Sequence, residues 1–248
     1  MTPIEVIDWL LLPLSGGLDH VVAPRVSWHG RLMVLAWGVA VPVAVVLARF
    51  FKVTPHQRWP EELDNTFWWH GHRFLSYVAV TLTVIAAALI VGHDNDRGPT
   101  RTLHAWAGWM VLSLAAIQIV SAHLRGTKGG PTAPRLSANG EILDLRGDHY
   151  DMTPHRRRFE WIHKTAGMTA VVMALAAMLT GLWTADALRW MWAGLVVFWF
   201  CLLAAFVRWQ RQGRCLDTYQ AIWGPGLEHP GNSMQVVGFG IRRVKPPE

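Results

Sequence analysis

Five apolar runs of roughly twenty residues dominate this chain: Trp28 to Arg49, Phe74 to Val91, Leu103 to Ala122, Trp161 to Trp183 and Leu188 to Val207. Each is close to the ~20 residues that a helix needs to cross a bilayer. Only 16% of the 248 residues are charged, against about 25% in an ordinary soluble domain. The expected fold is an all-α integral membrane protein with five transmembrane helices, at about 28–50, 70–92, 102–124, 158–183 and 187–209. Local signals agree. Thr153-Pro154 reads as a cap followed by proline at the first helical position, and Asp64 or Asn65 as a cap for the second helix. Pro42 falls inside the first helix, where neighbouring helices must satisfy the freed carbonyl.

Of fifteen tryptophans, Trp28, Trp59, Trp68, Trp69, Trp161, Trp183, Trp190 and Trp209 stand near span ends, as an interfacial belt does. Residues 1–24 form an N-terminal segment whose first basic residue is Arg25, unlike the positively charged start of a signal peptide. Ile7 to Leu14 is too short to span and is expected to lie in the interface. Residues 25–210 make the membrane domain, with a loop at 125–153, and 211–248 form a tail. The loop opens with Gly126, Gly129, Gly130, Pro131 and Pro134 and carries Gly147-Asp148-His149-Tyr150-Asp151-Met152. Neither loop nor tail has an assignable role. Cys201 and Cys215, about 21 Å apart on a continuous helix, are too distant for a disulfide.

The net charge of +6 is distributed in a way that argues against nucleic acid. With five spans, eighteen Lys and Arg side chains fall on the side of the C-terminus and five on the side of the N-terminus. The positive-inside rule then puts the N-terminus in the periplasm and the C-terminus in the cytoplasm of an inner membrane.

Histidines stand near the start of four consecutive runs: His29, His72, His104 and His163. Successive spans run in opposite directions, so His29 and His104 share one side and His72 and His163 the other. Three of them head stripes of small residues at helical spacing. Gly167, Ala170, Ala174, Ala177 and Gly181 follow His163; Gly108, Val111, Ala115, Gln118 and Ala122 follow His104; Ser76, Ala79, Thr83, Ala86 and Ile90 follow His72. Such stripes allow close helix approach and leave space for a flat macrocycle. The face after His29 (Met33, Ala36, Ala40, Val43, Leu47) is less uniform. His70 lies over Phe74, Tyr77, Thr81 and Val84, a bulky face suited to lipid, so His72 is the better ligand. His123 and His93 are reserve ligands at far helix ends. His20, His56, His149, His155 and His229 are expected in solvent.

Imidazole suits zinc, copper and iron, but two facing histidines are too few for a closed zinc site. A haem needs only axial ligands, and helix bundles hold such cofactors in their cores. Without a Cys-x-x-Cys-His motif the haem is b-type. The pattern therefore predicts two bis-histidine haems in a four-helix core, His29 with His104 and His72 with His163, and irons on the order of 20 Å apart. Arg25, Arg31 and Arg101 on one side, and Arg73 and Lys164 on the other, are expected partners for propionates. Gln118 is placed to bond a propionate or a quinone.

These residues resemble the cytochrome b561 family. Trp28-His29-Gly30-Arg31-Leu32-Met33 is similar to the family's first histidine motif, and Ala48-Arg49-Phe50-Phe51-Lys52 to its basic helix end. His72-Arg73, His104-Ala105-Trp106-Ala107-Gly108 and His163-Lys164-Thr165-Ala166-Gly167 resemble the remaining three sites. The likeness covers about Trp28 to Trp183. It implies a four-helix core with two b haems and transmembrane electron transfer. The chain looks more like the bacterial branch, for which a quinol or a redox partner protein is the expected donor. Two rival readings stand beside it: the cytochrome b subunit of a larger dehydrogenase or hydrogenase, and a non-redox membrane scaffold that docks partners through loop and tail. A homodimer is compatible with the sequence, since lipid-facing and dimer surfaces are equally apolar.

Overall fold

The structure, a computed structural model, describes residues 2–17, 21–92, 98–125, 135–136, 138–139, 142–144 and 152–245. His20, His93, Arg97, His149 and most of the 125–153 loop lie outside these residues. Five helices are long and apolar enough to cross a membrane: α2 (Pro24–Phe50), α3 (Phe67–Ile90), α4 (Pro99–His123), α5 (Pro154–Thr184) and α6 (Arg189–Arg211). The fold is all-α, as expected. A nine-residue helix, α1 (Pro3–Leu11), precedes them and a short one, α7 (Thr218–Trp223), follows. Within the loop, Arg135–Leu136 pairs antiparallel with Ile142–Asp144.

The caps follow the sequence. Thr153 Oγ accepts the Arg156 amide at 3.4 Å, with Pro154 opening α5. Of the two candidates for α3, Asn65 serves: its Oδ1 accepts the first helical amide, Phe67, at 3.0 Å. The α1 helix begins with a capping box between Thr2 and Glu5. Its apolar side chains Ile4, Ile7, Trp9 and Leu11 are exposed. After α1, Ser15 donates to Asp186 (2.6 Å), and the Arg189 guanidinium covers the Trp9 ring at 4.8 Å.

Helix α2 departs from a uniform α-helix. Residues Val34–Ala40 are π-helical. Pro42 lacks the N–H that would bond the Gly38 carbonyl, and its ring crowds that carbonyl. A wider i→i+5 turn relieves the crowding. The extra residue widens the face: Ala36 and Ala40 of the stripe counted from His29 are buried together with Trp37, Gly38 and Ala44, while Met33, Val43 and Leu47 are half-buried.

The chain divides into two compact units. One comprises Met1–Ala44, Arg73–Ala115 and Thr169–Phe206, the other Val45–His72, Ala116–Met168 and Val207–Glu248. In the first, Ala36, Trp37 and Ala40 of α2 pack with Ala79 of α3, Val111 of α4, Ala170, Ala174 and Met178 of α5 and Leu195 of α6. The small residues of the stripes are thus the core, and they bring the backbones close. Trp37 Nε1 donates to Thr83 Oγ at 3.0 Å, and that hydroxyl donates to the Ala79 carbonyl at 2.7 Å.

The second unit contains the tail, which folds. Met152, Tyr219, Ile222 and Trp223 form a buried cluster. Asp217 caps α7 through the Tyr219 amide and pairs with Arg243 at 2.6 Å. Arg243 also donates to the carbonyls of Gly231, Asn232 and Met234. Lys52 Nζ donates to the Leu216 carbonyl at 2.9 Å, and Trp59 Nε1 to the Gln220 carbonyl at 3.3 Å.

Candidate functional site

Each histidine pair anticipated from the sequence lies within one unit. In the first, His29 of α2 and His104 of α4 stand with ring centres 6.2 Å apart and planes at 84°. In the second, His72 of α3 and His163 of α5 are also 6.2 Å apart, at 74°. The helix faces explain the selection. His72 heads Ala79, Thr83 and Ala86, which are buried, whereas His70 is exposed over Phe74, Tyr77, Thr81 and Val84, all exposed.

The first pair is oriented by backbone carbonyls. His29 Nδ1 lies 2.9 Å from the Ala86 carbonyl and His104 Nδ1 2.9 Å from the Ala177 carbonyl. A carbonyl only accepts, so each Nδ1 carries the proton and each Nε2 keeps its lone pair. Metal-ligating histidines are held in this way. Thr180 donates to the same Ala177 carbonyl at 3.1 Å. Gly181 gives the His104 ring its room, since a Cβ there would come within 2.9 Å of Cε1. Gly108, one turn beyond His104, is half-buried, and a Cβ added to it would meet no atom within 4 Å.

In the second pair the His163 ring makes no hydrogen bond to the described residues, and its Nδ1 is buried. It packs against the Phe159 ring, with centres 5.2 Å apart. Around it runs a ladder of charge on α5: Glu160, almost fully buried, accepts from Arg156 at 3.4 Å and from Lys164 at 2.7 Å. Lys52 belongs to this surrounding. Burial first, and the like charge of Lys164 second, push its ammonium down to about 8.

The ring spacing of both pairs leaves room for one metal ion between two imidazoles, as haem ligation would need. A metal held end-on by two imidazoles through bonds of about 2.0–2.1 Å, with each ring centre a further ~1.1 Å behind its nitrogen, sets the centres about 6.3 Å apart. Both pairs meet that spacing. The protonated Nδ1 atoms of the first pair and the space beside Gly108 suit an axially ligated macrocycle.

The remaining sequence candidates take varied places. Arg25 and Arg31 are exposed, and Arg31 lies over the Trp28 ring at 5.3 Å. Arg101 is half-buried, three residues before His104. Arg73 lies over Tyr77 at 5.9 Å on the exposed face of α3. Lys164 is committed to Glu160 and to the Val237 carbonyl, at 2.6 Å. Gln118 donates to the His163 carbonyl at 2.9 Å. Of the reserve ligands, His123 bonds the Ile119 carbonyl of its own helix, and His93 lies outside the described residues. Sequence reasoning missed Glu160, Lys52 and the tail. A buried Arg156-Glu160-Lys164 ladder at i,i+4 spacing was the available signal.

Five apolar helices carrying two facing histidine pairs define a multi-pass helical membrane protein. The chain is a relative of the cytochrome b561 proteins. It is 30% identical to ferric-chelate reductase 1 of Bos taurus over 168 residues, 67% of this chain and 24% of that protein. It is 29% identical to ferric-chelate reductase 1 of Homo sapiens over 169 residues, with the same shares. To a cytochrome b561, DM13 and DOMON domain-containing protein of Arabidopsis thaliana it is 25% identical over 209 residues, 81% of this chain and 20% of that one. The chain thus spans about a quarter of the length of the curated relatives it matches. No family model matches the chain. No solved structure matches it.

Proposed function

We propose that this chain is a di-haem b-type cytochrome that carries electrons across a membrane. The observation that carries the reading is the equal 6.2 Å spacing of two histidine pairs drawn from alternating helices. His29 and His104 would hold one haem b and His72 and His163 the other. When bound, haem would supply a one-electron couple, and the four imidazoles would be the residues that hold it. The chain's own residues do the rest. The Ala86 and Ala177 carbonyls fix the tautomers of His29 and His104. The alanine stripes keep water out. Arg101 is the basic side chain nearest in sequence to His104, and Glu160 fixes the ammonium of Lys164 beside His163.

The donor in this reading is a quinol or another small reductant. The acceptor class is suggested by the relatives named ferric-chelate reductase: a ferric chelate on the opposite side. The membrane in this reading is a bacterial inner membrane, and the excess of basic residues on one side supports a cytoplasmic C-terminus. The test is a spectrum of the purified protein with haem counted per chain, before and after quinol. Two low-spin b haems reduced by quinol and reoxidised by ferric chelate are expected. His163→Ala is expected to lose one haem and keep the other. A variant that retains both overturns the ligand assignment.

A further inference from the structure

The sharpest unexplained feature lies in the tail. Phe239 is 89% exposed, matched among large apolar side chains of the described residues only by Val21. It sits at the tip of a turn built to hold it there. Gly238 and Gly240 have φ of +121° and +63°, values that L side chains rarely adopt. A Cβ on Gly240 would also come within 2.9 Å of the Gln210 side chain.

The backbone of this turn is clamped to the ends of two spans. Arg49, next to last in α2, donates to the Phe239 carbonyl at 2.9 Å and to Gln210 Oε1 at 2.8 Å. Gln210, next to last in α6, donates to the Gly240 carbonyl at 2.6 Å. Two side chains at the termini of apolar helices therefore fix the height of the ring. That height is the level at which hydrocarbon gives way to headgroups. Arg211, next to Gln210 in α6, and Arg242, two residues after Gly240, are both exposed. An aromatic ring among cations at a span end suits an anionic lipid surface.

We infer that the Gly238-Phe239-Gly240 turn is a membrane anchor: the phenyl ring enters the bilayer interface and seats the folded tail on an anionic lipid surface. The two glycines supply, without strain, the backbone conformations that present the ring at the tip of the turn. The anchor also bears on the second histidine pair, because Val237, two residues before the ring, supplies the carbonyl that holds Lys164.

The experiment uses the full chain in vesicles of phosphatidylcholine with one fifth phosphatidylglycerol. A spin label is placed at Phe239→Cys, with Glu228→Cys as the reference, both in a Cys201→Ser background. Cys215 is buried and stays unlabelled. The label at 239 is expected to relax more with oxygen than with a water-soluble nickel chelate, and the label at 228 the reverse. Trypsin is then expected to cut the tail several-fold faster in Phe239→Asp than in the unaltered chain, while Phe239→Trp keeps the slow rate. A label at 239 as open to nickel as that at 228 overturns the anchor. So does a nickel-shielded label that oxygen does not reach, which marks a protein cover, or a Phe239→Asp tail cut at the unaltered rate.

Discussion

The two histidine pairs have the same spacing and opposite means of support. His29 and His104 are held by main-chain carbonyls in a core of alanine, tryptophan and threonine. The buried Nδ1 of His163 has no hydrogen-bond partner among the described residues, and the ring stands beside the Arg156-Glu160-Lys164 ladder, which the tail closes through Val237. The first arrangement is fixed once the helices pack. The second depends on side chains and on the 37 residues beyond the last span. Where backbone does the holding, geometry is robust and the ligand basic. Where charge does, it is open to adjustment.

The largest test of that contrast is Arg243→Ala. It leaves the carboxylate of Asp217, 3% exposed, without its cation, a change that costs about 3–5 kcal/mol in buried pairs. The tail is expected to become protease-sensitive and the spectrum of the haem proposed for His72 and His163 to shift, with that of the haem proposed for His29 and His104 unmoved. An equal shift at both would erase the distinction.

A smaller effect comes with pH. A base whose folded-state pKa is lowered is costly to keep charged in the fold. Stability is therefore lower below about pH 8 and rises as pH climbs from about 8 toward 10.5, where Lys52 is neutral only when folded. Lys52→Met should remove that rise in the denaturation midpoint while retaining the rest of the profile. A variant with the unaltered slope would assign the effect elsewhere.

The smallest concerns the first pair. Thr180→Val removes the hydroxyl whose one proton is shared between the Ala176 carbonyl at 2.8 Å and the Ala177 carbonyl at 3.1 Å, and the Ala177 carbonyl then accepts more strongly from His104. The imidazole becomes more basic and ferric iron is favoured. A lower midpoint potential for that haem alone is expected in a redox titration. A rise, or a change in both haems, contradicts the proposed coupling.

Much of this was legible in the sequence, and for definable reasons. Apolar length fixed the five spans, because lipid leaves a backbone few choices. Helical periodicity separated His72 from His70, because burial follows face: Ala79 and Ala86 are enclosed while Phe74 and Val84 are bare. The tail was not legible. Its order rests on pairs far apart in sequence, Arg243 with Asp217 and Lys52 with Leu216, which leave no periodic trace. Basic residues near a span start were equally ambiguous, because a long side chain chooses its partner in three dimensions. Arg31 and Arg73 lie over rings and Lys164 reaches a tail carbonyl.

The widened turn in α2 makes residue number matter more than residue type between Val34 and Ala40. Closing that stretch into regular α-helix without removing a residue would lengthen the helix by only about 1.5 Å, yet would rotate everything before it by about 100° relative to Ala40 and Ala44. His29 would swing off His104 with every contact residue intact. Phase, rather than composition, is what that segment conserves for its imidazole.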